Sequence, residues 1–121
     1  MEEYIKIVAQ IIIAFSIYNV WILRPRKATP WRGGEAKNIM EEFETYGLPK
    51  WFMFFVGFSK IVLATLLLAG IFYSDLAETG AIGIAVLMFG AILMHVKVKD
   101  HPKKSFPAFS FLVLSLLVIL M

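Results

Sequence analysis

The chain contains no cysteine. That excludes structural disulfides, thiolate metal sites, thiol redox chemistry and cysteine-attached haem. Histidine is almost as scarce, with only His95 and His101, and a predicted loop separates them. One histidine within a span does not make a bis-histidine haem site. We expect no metal site and assign no catalytic residue. Gly33-Gly34 is not followed by the Lys-Ser or Lys-Thr pair of a phosphate-cradling loop. Charge is also thin: Asp, Glu, Lys and Arg make up 17% of the 121 residues, against 60% apolar. The basic residues border apolar runs, so no nucleic-acid partner is expected.

That shortage of charge sets the class. A soluble domain of this size has too much surface for its volume to hide so large an apolar fraction. The apolar residues also come in runs of membrane length, and a transmembrane helix needs roughly 20 such residues. Four runs qualify, at about 4–23, 51–73, 76–96 and 105–121. Inside lipid the backbone must satisfy its own polar groups, which a helix does within one segment. The expected fold is therefore an all-α membrane protein, a single domain over residues 1–121. It is a four-transmembrane-helix bundle with a short amphipathic helix in the loop between the first two spans. The start, MEEYIK, is acidic and no small-residue cleavage pattern follows it. The first run reads as a retained helix rather than a signal peptide.

The loop between the first two spans, residues 24–51, is the longest polar stretch. Arg24-Pro25-Arg26-Lys27 should stop the first helix, since proline breaks the ladder and cations suit a helix C-terminus. Pro30, Trp31 and Gly33-Gly34 read as turns. Glu35–Tyr46 then reads as the amphipathic helix, with Ile39, Met40, Phe43 and Tyr46 on one stripe. Gly47 suits a left-handed cap at its end, and Pro49 suits the first turn of the second span.

Within the spans the polar residues are few. The first carries Gln10, Ser16 and Asn19, and Trp21 near its end reads as an interfacial aromatic. The second carries Lys60, about eleven residues beyond Pro49 and so roughly 16 Å deep at 1.5 Å per residue. A lysine there costs at least ~2.5–3.5 kcal/mol unless it is paired or hydrated. The turn between the second and third spans is read at Ser74–Glu78, with Asp75 and Glu78 suited to capping the third. Gly80, Gly83 and Gly90 mark a face for close helix approach, and His95 lies at that helix's end.

Basic residues concentrate in the first and third loops. By the positive-inside rule both termini face outward and both of these loops face the cytoplasm. On that side, Lys60 could reach toward Asn19 and His95 by extending its stem. The candidate ligand-binding set is Lys60, His95, Asn19, Arg32 and Glu42, for a quinone, a lipid headgroup or a small anion. The same groups could instead satisfy one another, and Arg32 could pair with a loop glutamate or with lipid phosphate.

Arg32-Gly33-Gly34, Glu42-Phe43, Tyr46-Gly47-Leu48-Pro49, Lys60, His95 and Asp100 form a polar pattern spread over most of the chain. In it the sequence resembles the DoxX-like family of small four-helix membrane proteins. The family's name comes from a subunit of a thiosulfate:quinone oxidoreductase, and a distant animal relative resembles an assembly chaperone for receptor channels. The resemblance implies no agreed catalytic set. The expected function is a non-enzymatic accessory or assembly subunit of a larger membrane complex, in the inner or plasma membrane of a bacterium. The alternatives are a quinone-binding subunit of an oxidoreductase and an oligomeric solute- or lipid-handling protein. Expected partners are membrane lipid and either a larger membrane protein or further copies of the chain. No resident cofactor is expected beyond a quinone or lipid.

Overall fold

A computed structural model describes residues 2–23 and 32–121. Among the described residues, five α-helices run in chain order: α1 (Glu2–Tyr18), α2 (Ile39–Tyr46), α3 (Lys50–Ala69), α4 (Ser74–Lys97) and α5 (Phe106–Leu120). A π-helical segment, Asn19–Leu23, extends α1, and a 3-10 turn, Pro102–Ser105, leads into α5. Four segments are long and apolar enough to cross a membrane: Glu3–Leu23, Lys50–Ala69, Ser74–Lys97 and Pro102–Leu120. The protein is an all-α membrane bundle. The predicted stop at Arg24–Lys27 and the turn residues Pro30 and Trp31 lie outside the described residues.

The spans form a closed ring in which α1 packs on α3, α3 on α4, α4 on α5, and α5 back on α1. Small side chains let them approach. A Cβ at Gly80 would come within 2.9 Å of the Leu63 carbonyl, and one at Gly83 would strike the Leu63 side chain. Gly90 differs from the expected close-packing role, because no atom of the described residues lies within 4 Å of a Cβ there. The core runs through Ile13, Ala14, Ala64, Leu67, Ala81 and Ile84.

Gln10 shows how a polar side chain is housed where water is absent. It is 1% exposed, and its amide Nε2 donates to the Leu67 carbonyl at 2.7 Å. The α3 helix ends there in a tight turn, in which the Ile71 amide bonds Leu68. Leu67, the α-helical partner that the amide would otherwise use, is thereby left for Gln10. Helix α3 consequently stops at Ala69, short of the predicted 73, and the turn to α4 lies at residues 70–73 rather than at Ser74–Glu78. Tyr73 sits at the α4 N-cap with no side-chain cap bond. Asp75 falls inside the first turn, where its charge faces the helix dipole.

Helix α2 is shorter than predicted. Asn38 caps it, accepting from the Glu41 amide at 2.8 Å, so residues 35–38 precede the helix. Its far end closes as expected on Gly47 at φ 77°, where Gly47 bonds Glu44 and Leu48 bonds the Phe43 carbonyl. Ile39, Phe43 and Tyr46 are buried by this helix, while Met40 is left exposed.

The π-helical segment changes the reading of Trp21. The indole is half-buried and turns inward onto neighbouring elements. It packs edge-on to Phe43 with centroids 6.1 Å apart, and it lies on Gly57, where a Cβ would come within 2.7 Å of the ring. Trp21 thus touches both the core between the spans and the smaller one beneath α2, formed by Ile39, Phe43, Met53 and Val56. A π turn adds a residue per turn and rotates the residues beyond it, which brings a side chain near the helix end inward.

Two glycines in similar helical surroundings should therefore behave oppositely. Gly57→Val would overpack the indole and destabilise the protein by about 1–3 kcal/mol. Gly90→Ala, with open space around it, should stay within about 1 kcal/mol of wild type. Thermal unfolding of both variants in one detergent checks the contrast.

Candidate functional site

The site is built where the first and third loops meet at one end of the bundle. Helix α4 ends with Lys99 in the left-handed region at φ 59°. The Lys99 amide bonds Val96 and the Asp100 amide bonds the His95 carbonyl, the paired bonds of a Schellman closure. That closure sets the Asp100 side chain beside the His95 ring. His95 Nδ1 donates to Asp100 Oδ2 at 2.7 Å, and the two side chains are 7% and 6% exposed. From the first loop, the Gly34 amide donates to both carboxylate oxygens, at 2.9 and 3.2 Å. Lys104 completes the arrangement: its ammonium donates to the Gly34 carbonyl and lies 3.8 Å from Asp100 Oδ1.

Gly34 fits this role because of its backbone. It holds φ +56°, and a Cβ would lie 2.8 Å from the Thr45 methyl. Its neighbour Gly33 has no room for a side chain either, because the Tyr46 ring occupies that space. The Gly33-Gly34 pair lets the loop backbone pass close over α2 and present an amide to Asp100.

A second cluster adjoins the first through Tyr46. The Tyr46 ring meets His95 edge-on with centroids 5.9 Å apart. Its hydroxyl donates to Glu42 Oε1 at 3.0 Å, while Arg32 Nη1 pairs with Glu42 Oε2 at 3.4 Å. Both Glu42 oxygens are therefore engaged. Lys97 donates to the Tyr46 carbonyl at 2.8 Å, which ties α4 to the end of α2.

Electrostatics follow from these contacts. Burial pushes the Asp100 carboxyl up, but the bonds from His95 and Gly34, with Lys104 and His95 as neighbouring charges, outweigh it and hold the group below its ordinary value. Burial first, and then the charge and hydrogen bond of Glu42, raise the Tyr46 phenol above its ordinary value. Tyr46 is a hydrogen-bond donor at any physiological pH.

The five residues marked in the sequence separate into different settings. Arg32 and Glu42 are joined directly. His95 is brought to the same cluster through Tyr46, with Asp100 as its hydrogen-bond partner. Lys60 is half-buried in α3 and stacks over the Trp21 ring with its Nζ 5.0 Å from the centroid. Asn19 is partly exposed at the start of the π-helical segment. Among the described residues no hydrogen bond joins Lys60 to Asn19 or His95. The expected meeting of these three does not form, because the indole of Trp21 occupies the face that Lys60 turns toward.

The polar pattern that the structure gathers at this end also lies within a recognisable stretch of sequence. The profile of the DoxX-like family matches residues 32–118. The chain belongs to the DoxX-like family. The match begins at Arg32, the first described residue of the loop cluster, and runs through α2, Lys60, His95 and Asp100. No curated protein and no solved structure matches the chain. For this DoxX-like protein the residues at the site that the candidate ligand-binding set left out are Trp21, Gly34, Tyr46, Asp100 and Lys104. Asp100 carried a signal, as the one acid in a basic loop. Trp21 carried none, since its direction depends on the π-helical segment.

Asp100 should be the residue on which loop docking depends most. Asp100→Ala leaves the buried donors of His95 and Gly34 without an acceptor, at about 1–3 kcal/mol for each. Lys104→Met removes a half-exposed ion pair worth about 0–1 kcal/mol and the bond to the Gly34 carbonyl, but leaves the Gly34 amide its acceptor. Hydrogen exchange at the Gly34 amide measures both, with fast exchange expected only for Asp100→Ala. The pH dependence has a defined sign. A carboxyl held below its ordinary value contributes stability that is complete above the unfolded value of 3.8 and is lost as pH falls through the folded one. After correction for the intrinsic pH dependence of exchange, protection at Gly34 should be flat from about pH 7 to about 4 and fall below that.

Proposed function

We propose that this DoxX-like protein is a non-enzymatic accessory or assembly subunit of a larger membrane complex. One observation carries the reading: the polar side chains of the two buried clusters at the loop end are committed to each other. Glu42 holds Arg32 and Tyr46, and Asp100 holds His95, Gly34 and Lys104. The space beneath α2 is filled by Trp21, Phe43 and Phe52. A group that closes a buried hydrogen bond reaches a substrate only by losing that bond. What the molecule offers outward is apolar and aromatic, including Trp51, Phe54, Phe55 and Phe58 along one face of α3. That surface suits lipid, a larger membrane protein or a further copy of the chain.

The same reading puts the protein in the inner or plasma membrane of a bacterium, with the termini outside and the first and third loops cytoplasmic. The support is the lysine and arginine content of those loops, which the positive-inside rule assigns to the cytoplasm. A reporter fused within the first loop should be inaccessible from outside intact cells, and labelling from outside would reverse the orientation.

A specific observation favours a second reading, a quinone-binding membrane subunit. Lys60 lies within a span, and its ammonium rests on an aromatic face rather than on an acceptor at hydrogen-bond distance. A ligand carbonyl would supply such an acceptor. One pair of variants separates the two readings. An accessory subunit should form a stoichiometric complex in native membranes that survives Lys60→Met and weakens in the double variant Phe54→Ala/Phe58→Ala. A chain that migrates alone, with saturable quinone binding abolished by Lys60→Met, would replace the first reading by the second.

A further inference from the structure

Away from the loop cluster, an open groove of about 690 Å³ runs between the ends of α4 and α5. Ile92 of α4 and Phe106 and Phe109 of α5 form its apolar walls. His101, Lys103 and Ser105, in the segment between α4 and α5, complete a lining that is itself almost wholly apolar, and the exposed His101 and Lys103 border it. We propose that this groove holds one anionic phospholipid, with an acyl chain against Ile92, Phe106 and Phe109 and its phosphate at His101, Lys103 and Ser105.

The charge balance at this border favours an anion. The third loop carries Lys97, Lys99, Lys103 and Lys104 against the single acid Asp100. Asp100 turns its carboxylate inward to His95 and Gly34, so it does not neutralise the groove. Lys97 is bonded to the Tyr46 carbonyl and Lys104 to Gly34. Among the described residues, the Lys103 ammonium makes no ion pair, and it is exposed at the border of the groove. The His101 ring is oriented by the chain itself, because its Nδ1 accepts from the Lys103 amide at 3.1 Å. An Nδ1 that accepts leaves the proton on Nε2, so this ring presents an N–H donor outward. An ammonium, an imidazole N–H and a hydroxyl are three donors suited to phosphate oxygens.

The apolar part matches the other half of such a molecule. Phe106, Phe109, Val113 and Leu116 follow helical spacing and are all exposed, so the wall of the groove continues along α5 into the span. A headgroup at this border would send its chain along that stripe. Cationic border, apolar track and membrane depth change in the same order as phosphate, glycerol and acyl chain. The lipid site stands independently of any partner subunit.

Native mass spectrometry of the delipidated full chain in detergent, titrated with phosphatidylglycerol or phosphatidylcholine, tests it. One phosphatidylglycerol per chain should be retained in preference to phosphatidylcholine. Lys103→Gln should weaken it by about fivefold, the effect of one cation near a lipid surface, and Ile92→Trp should fill the groove and abolish it. Lys103 is exposed, so its replacement leaves packing intact even if Ile92→Trp fails to fold. Lys99→Gln should leave binding unchanged. Equal losses in Lys99→Gln and Lys103→Gln would reveal diffuse attraction and overturn the site, as would equal retention of the two lipids. Displacement of phosphatidylglycerol by ubiquinone would overturn the assigned occupant.

Discussion

The loop end of this molecule depends on one buried carboxylate. Asp100 accepts from the amide of Gly34, 66 residues earlier in the chain, and from the imidazole at the end of its own helix. Nothing else on the third loop offers an anion to the first. A carboxylate that is 6% exposed is tolerated only when donors surround it. Here the His95 imidazole and the Gly34 amide supply them, with the Lys104 ammonium close by. The loop helix α2 is held as a consequence: Gly33 packs under Tyr46, and Lys97 binds the Tyr46 carbonyl.

Beneath that tie lies an apolar one. Trp21 is the side chain through which the loop helix meets the bundle, between Phe43 above and Gly57 and Lys60 below. It also gives a lysine within a span a place to rest. An ammonium near the face of an indole gains ~0.5–2 kcal/mol from the ring's quadrupole, more when water is excluded. That offsets part of the penalty for a charge at this depth. Polar residues in this family pattern therefore have a structural use in holding a loop against a membrane bundle.

Much of the fold was legible because lipid leaves few choices. Runs of about 20 apolar residues must be helices, and four such runs in a short chain must pack into a bundle. Gly47 acts through local backbone geometry, and the predicted left-handed cap there is present at φ 77°, while Pro49 precedes the first turn of α3 as its N-cap. The expected pairing of Arg32 with a loop glutamate is also present, because Glu42 lies within reach along the same loop. The helix start was harder to place. Residues 35–37 have helical composition, yet Asn38 accepts the Glu41 amide and begins the helix there.

The sequence by itself determined the class, the number of spans, the loop helix and the polar residues, since each follows from local composition and spacing. Tertiary structure alone decided which polar groups meet. His95 pairs with Asp100 because a Schellman closure at Lys99, a residue with no glycine signal, folds the chain back on itself. Lys60 meets Trp21 rather than Asn19 or His95 because the π-helical segment rotates the indole into its path. A helical wheel with a fixed angle per residue does not contain that rotation, and no local signal states which loop amide will reach a distant carboxylate.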